Sequence, residues 1–335
     1  MLKSKKSILV FTAIIILACI GLMVYKAIDP VYLISEPWLG RGIYKIMGID
    51  SGEGLIWSPN GKYLAGLIRE LPMPDFCLGC GKPHSEIFIV DLDKKEKETV
   101  LWVKYPDKDI STISWFPDGE QIAYTDESLG SKWGIRSISV DGTNDVQYMA
   151  DNGYPLWNPN HPIIAMRGMI GVAGNWYPVI NIIDLSTKEK ELIFKGPEPI
   201  SDILSLSWSA DGSTLAFAYG KIGPNEELIP KIFFFDLETK KVVQFTNDKY
   251  EYWSADFSPT NNIIALQRIS NMSHVIILKD LANDCEVELP IIYTISASWS
   301  PDGQKIVVSG GRDAYIVNLA EYFGTKFIET GSICP

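Results

Sequence analysis

Trp299-Ser300-Pro301-Asp302-Gly303 decides how this chain folds. Proline presets φ for a turn and glycine accepts a positive φ. The pentapeptide therefore predicts a tight hairpin, entered by a strand that ends on an aromatic ring. The pattern recurs at five earlier places: Trp57-Ser-Pro-Asn-Gly61, Trp115-Phe-Pro-Asp-Gly119, Trp157-Asn-Pro-Asn-His161, Trp208-Ser-Ala-Asp-Gly212 and Phe257-Ser-Pro-Thr-Asn261. The register extends beyond the motif. Seven residues after each aromatic stand Leu64, Ile122, Ile164, Leu215, Ile264 and Ile306, each followed by a small residue: Ala65, Ala123, Ala165, Ala216, Ala265 and Val307.

A second mark closes each unit. It reads Val90-Asp91-Leu92, Val140-Asp141-Gly142, Ile183-Asp184-Leu185, Phe235-Asp236-Leu237, Lys279-Asp280-Leu281 and Val317-Asn318-Leu319. A polar turn and a short apolar run follow it, as in Val242-Val243-Gln244-Phe245. Each unit is thus predicted as four short strands, A to D. The aromatics are spaced 58, 42, 51, 49 and 42 residues apart. Four-stranded units repeating at about 40–50 residues predict a β-propeller. The fold class expected is all-β, a six-bladed propeller of four-stranded antiparallel blades over residues 43–335, preceded by one N-terminal transmembrane helix. How the ring closes stays open. Lys326-Phe327-Ile328-Glu329 reads as a D strand of the last unit, and Ile43-Tyr44-Lys45-Ile46 reads as a strand able to join the same blade.

The repeat with its downstream Asp-Leu resembles the WD-like repeat of TolB-type six-bladed propellers, over roughly residues 43–330. The resemblance implies the fold and no particular partner. TolB has a further N-terminal α/β domain without a counterpart here. Other relatives carry the repeat ahead of a serine peptidase domain or as a polysaccharide lyase.

The N-terminus predicts an address. Lys3, Lys5 and Lys6 precede an apolar run from Ile8 to Tyr25, closed by Lys26. That length is close to the ~20 residues that span a bilayer, and the positive flank favours the cytoplasmic side. Residues 1–26 are read as a retained signal-anchor, with residues 27–335 extracytoplasmic. A cleaved signal peptide and a lipoprotein signal ending at Cys19 are the alternatives. Residues 27–42, with Pro30, Pro37, Gly40 and Gly42, read as a linker. The net charge of the 335 residues is −11. Four of the 30 basic residues lie in 1–26, so the remainder sets 26 basic against 41 acidic residues, or −15. Such a surface excludes general nucleic-acid binding. Five cysteines are too few for a disulfide-built scaffold.

Propeller geometry puts the A–B hairpins and C–D turns on one face. The longer B–C loops and D–A connections lie on the other, where function tends to sit. The blade 1 B–C loop holds Cys77, Cys80 and His84. It reads as a local disulfide clip, as a zinc site lacking a fourth ligand, or as a redox dithiol. No other cofactor is expected. Trp133, Trp176 and Tyr177 fall in B–C loops, and Tyr154 and Tyr252 in D–A connections. As a set they predict a recognition surface for a protein, peptide or glycan. Singly, each is as well explained by packing on its own blade. The repeat tryptophans belong to the core. No Gly-x-Ser-x-Gly elbow is present, and the three histidines fall on separate elements. The expectation is a non-catalytic scaffold. The rival is a glycan lyase or hydrolase using His84 with Asp107 or Asp109.

Overall fold

A computed structural model describes residues 28–36, 39–49, 54–70, 83–105, 109–127, 134–151, 153–198, 201–222, 228–270, 273–310 and 313–334. The apolar N-terminal run with Cys19, and also Cys77, Cys80, Asp107 and Trp133, lie outside these residues. Among the described residues no helix is long and apolar enough to cross a membrane.

Three short strands open the chain: β1 (Ile28–Pro30), β2 (Tyr32–Ser35) and β3 (Ile43–Met47). Blade 1 is β4 (Leu55–Trp57), β5 (Tyr63–Glu70), β6 (His84–Asp91) and β7 (Glu96–Lys104). Blade 2 is β8 (Ile110–Trp115), β9 (Gln121–Asp126), β10 (Gly134–Ser139) and β11 (Val146–Met149). Blade 3 is β12 (Tyr154–Trp157), β13 (Ile163–Val172), β14 (Asn175–Asp184) and β15 (Lys190–Lys195). Blade 4 is β16 (Asp202–Trp208), β17 (Thr214–Ile222), β18 (Leu228–Asp236) and β19 (Val242–Gln244). Blade 5 is β20 (Glu251–Phe257), β21 (Ile263–Ser270), β22 (Ser273–Asp280) and β23 (Cys285–Ile292). Blade 6 takes β24 (Ser296–Trp299), β25 (Lys305–Gly310) and β26 (Asp313–Asn318) from the C-terminal end. All pairings within blades are antiparallel, in the order A-B-C-D. The six-bladed propeller expected from the repeat is the fold.

The motif residues account for it. Gly61, Gly119, Gly212 and Gly303 turn the A–B hairpins with φ of +74°, +69°, +71° and +65°. Blades 3 and 5 lack that glycine and tie the turn by side chains instead. The His161 N–H donates to Asn158 Oδ1 at 2.9 Å, and the Asn261 N–H to Ser258 Oγ at 3.2 Å. The six Leu/Ile residues of strand B are completely buried, and their small neighbours are at most 2% exposed. Each such aliphatic side chain contributes about 1.5–3 kcal/mol. The Asp of the closing mark turns the chain from C to D. Asp184 Oδ1 accepts the N–H groups of Ser186 and Thr187, and Asp280 Oδ1 those of Ala282 and Asn283.

The repeat tryptophans clasp neighbouring blades. Trp115 Nε1 donates to the Ile56 carbonyl at 3.2 Å, Trp208 Nε1 to Leu156 at 3.4 Å and Trp299 Nε1 to Asp256 at 3.0 Å. Each bond runs to the residue that precedes the aromatic of the blade before.

Ring closure resolves the open choice. β3 pairs with β26, Ile43 opposite Val317 and Ile46 opposite Ala314, and so supplies the D strand of blade 6. Lys326–Glu329 is not a strand; it lies in a helix. At the sixth closing mark Asn318 stands where Asp usually does. Its side chain accepts the Glu321 N–H and donates to Glu321 Oε1, a capping arrangement that starts α1 (Leu319–Phe323). After Gly324 the chain continues as α2 (Thr325–Thr330), which buries Phe327 beside Trp299 and Ile306. Residues 28–35 are also more than the linker their Pro and Gly content suggests. β1 adds to β7 of blade 1 and β2 adds to β3 of blade 6, so one extended stretch spans the seam where the ring closes.

Cys285 and Cys334, whose pairing spacing alone leaves open, form a disulfide. It ties residues 332–334 to the start of β23. Ser332 Oγ donates to Asp280 Oδ2 at 2.8 Å beside it. Asp280, Cys285 and Cys334 are the one described cluster of three potential metal ligands, and the disulfide already consumes two of them.

Candidate functional site

Two regions offer chemistry, the loop-rich face and the central channel. On the loop-rich face β13 and β14 run ten residues each, longer than most other strands. Their pairing holds to Val172 opposite Asn175, across a turn in which Ala173 and Gly174 both have positive φ. A two-residue turn of that kind suits a hairpin that keeps its twist to the tip. Burial ends at Gly168, so the distal part leaves the blade. Met169, Ile170, Val172 and Trp176 are exposed there, Trp176 to 63%. On the same face, between blades 5 and 6, Ile292, Tyr293 and Ile295 are exposed as well. Tyr293 has φ +59°, a backbone conformation uncommon for a bulky side chain.

The structure separates the aromatic residues grouped by the sequence. Trp176 stands in solvent near the hairpin tip, its ring lying across Gly171. Tyr177, next to it, is half-buried with Lys195 Nζ 4.3 Å from its ring centroid. Tyr154 starts β12 and is covered by the Arg167 guanidinium, 3.9 Å from the ring centroid, while its hydroxyl donates to Glu127 Oε1 at 3.1 Å. Burial raises its phenol pKa. Tyr252 is a core residue, 2% exposed and packed with Ala216, Ile264 and Leu266. Its hydroxyl donates to Asp248 Oδ2 at 2.7 Å, so it offers nothing to a partner.

His84 begins β6. It stacks on Trp102 at 5.3 Å and sets Nδ1 3.4 Å from Glu70 Oε2. Asp109 is held by Arg69 at 2.9 Å and accepts from Ser85 Oγ at 3.2 Å. The histidine and the acid of the lyase reading are therefore each engaged by other side chains. The zinc reading depends on Cys77 and Cys80, outside the described residues.

The channel was not legible as a site in the sequence. All six A strands line it, around a cavity of about 520 Å³. Ile56, Ile113, Leu156 and Leu206 make an apolar band, and Ser114, Ser254 and Ser298 add hydroxyls. The residue before each aromatic is Ile56, Ser114, Leu156, Ser207, Asp256 or Ser298. Asp256 alone is charged, and that anomaly was the available signal. Its carboxylate accepts from Ser207 Oγ at 2.9 Å. Desolvation dominates and pushes its pKa up to about 7, against the relief of the serine bond. At the loop-side mouth stands Arg167 of β13, whose Nη1 donates to the Ile203 carbonyl at 2.6 Å. Desolvation lowers its pKa, with Tyr154, Asp202 and Glu127 opposing. A second recess of about 360 Å³ adjoins it, bounded by Tyr154, Met169 and Asp202.

Comparisons with known proteins place the fold. The chain matches no protein-family profile and no curated protein sequence. Among solved structures it resembles TolB from Acinetobacter baumannii, with a TM-score of 0.54 and 19% identity over 78% of this chain. It spans 62% of that protein's length. It also resembles oligogalacturonate lyase from Vibrio parahaemolyticus, with a TM-score of 0.56 and 11% identity, covering 88% of this chain and 98% of the lyase. The β-propeller domain of the Trilobed protease from Pyrococcus furiosus matches with a TM-score of 0.51 and 12% identity, over 87% of this chain and 91% of that one. At these identities the likeness is one of fold. The chain is a six-bladed propeller with the TolB-like fold.

Proposed function

We propose that the chain is a membrane-anchored, extracytoplasmic recognition scaffold that binds a partner protein through its loop-rich face. The β13–β14 hairpin carries the reading. A rigid, fully paired hairpin holds Met169, Ile170, Val172 and Trp176 in solvent at its end. Exposed apolar clusters of this kind mark interaction sites, and tryptophan is a frequent anchor in them. The lysine-flanked apolar run of residues 8–25 supplies the anchor in this reading. Trp133 remains the companion candidate on blade 2.

The test is crosslinking of the full chain in its native membrane, followed by identification of what co-purifies. Trp176→Ala, alone and with Trp133→Ala, is expected to reduce recovery of the partner at least tenfold while leaving thermal unfolding unchanged. Equal recovery from wild type and double variant would remove the hairpin from the reading.

A further inference from the structure

Two ionisable side chains of the channel, Asp256 and Arg167, make no close ion pair among the described residues, although the carboxylates of Asp202 and Glu127 bear on Arg167 from farther off. The carboxylate has a serine hydroxyl and the Trp299 backbone N–H, and the guanidinium has a backbone carbonyl and the face of Tyr154. Desolvating a charge without a close opposite charge is costly, so Asp256 outright, and Arg167 in part, are positions that a ligand charge would relieve. Their signs are opposite and both line one cavity.

Their heights differ. Asp256 sits one residue before the repeat aromatic, level with Leu156. Arg167 pairs with Tyr154, two residues nearer the loop side. The axial offset is roughly 7 Å at about 3.4 Å per residue. Between the two levels run the apolar side chains of Ile113 and Leu206, with Leu156 at the Asp256 level. The Ser205 and Ser296 hydroxyls, also on the wall, are buried without a hydrogen-bond partner among the described residues. One carboxylate among hydroxyls is a poor calcium or magnesium site, which calls for several carboxylates. It suits an ammonium group. The cavity volume is that of a small-molecule site.

We propose that the channel binds a short linear zwitterion, its ammonium on Asp256, its carboxylate on Arg167 and its spacer along the apolar band. The chemistry is that of an ω-amino acid or a short peptide with free termini. Arg167 lies at the base of the β13–β14 hairpin and Trp176 near its exposed end, and the two tests use different variants, so either proposal can fail without the other.

The test titrates the full chain in detergent with 6-aminohexanoate, trialanine, hexylamine and hexanoate, by calorimetry and tryptophan fluorescence. Trp57, Trp115 and Trp157 line the cavity and report on it. Saturable binding of at least one zwitterion is expected, with hexylamine and hexanoate at least tenfold weaker. Which zwitterion binds separates a free ω-amino acid from a peptide. Asp256→Asn, which keeps the side-chain shape, is expected to weaken the zwitterion at least tenfold and to leave hexanoate unchanged. Absence of saturable binding by both zwitterions, or equal affinity for the singly charged probes, overturns the proposal on the wild-type protein alone. So does unchanged zwitterion affinity in Asp256→Asn.

Discussion

Trp299 donates its indole N–H to the backbone carbonyl of Asp256 in the preceding blade, at 3.0 Å. Trp57, at the same repeat position in blade 1, has its indole nitrogen buried without a partner among the described residues. One motif residue thus has two energetic roles, set by the blade it faces. Trp→Phe removes similar volume at either position, so the difference between the two isolates the bond. Trp299→Phe should cost about 1 kcal/mol more than Trp57→Phe, the net value of a typical hydrogen bond. Urea unfolding with an unchanged m-value measures it, and equal losses would contradict the clasp.

The buried carboxyl of Asp256 makes stability depend on pH. Its pKa is raised from 3.8 to about 7 in the folded chain, so the folded state holds the proton more tightly than the unfolded one. This group's contribution is full below about pH 4 and is lost as pH rises towards 7. Asp256→Asn removes the loss. At pH 8 the variant should be more stable than wild type by on the order of 1–3 kcal/mol, the gap narrowing as pH falls to 4. Chemical unfolding at both pH values checks the sign. A gap independent of pH would show that the carboxyl is solvated.

Ring closure by β3 sets the cost of substitutions at the two ends. Ile43 is completely buried against Val317, whereas Ile328 in α2 is 66% exposed. Ile43→Ala should cost about 2–5 kcal/mol, and Ile328→Ala at most about 0.5 kcal/mol. The reverse order would mean that Lys326–Glu329 supplies the closing strand.

The Cys285–Cys334 bridge closes a loop over a separation of 49 residues. A link of that length should contribute roughly 2–4 kcal/mol. Reducing agent is expected to lower the unfolding midpoint of wild type and to leave the Cys285→Ala/Cys334→Ala variant unmoved. A wild-type midpoint indifferent to reduction would mean that the segment stays docked without the bridge.

The repeat determined the blades. Pro-Asp-Gly hairpins, the Leu/Ile-Ala pair and the closing Asp are local devices, each working within a few residues of itself, so their spacing was readable along the chain. The Asn318–Glu321 cap was readable in principle too, and it ends the strand pattern before Lys326. What the sequence could not carry was anything made by bringing distant residues together. Closure depends on Ile43 and Ile46 meeting β26 from the other end of the chain. Tyr252 and Trp176 look equivalent as loop aromatics. Only packing puts one in the core and the other in solvent. Asp256 and Arg167 lie in different blades and line one cavity because the six blades converge on an axis. Charge in that cavity is governed by desolvation, a property of the folded surroundings, and these tertiary structure alone decides.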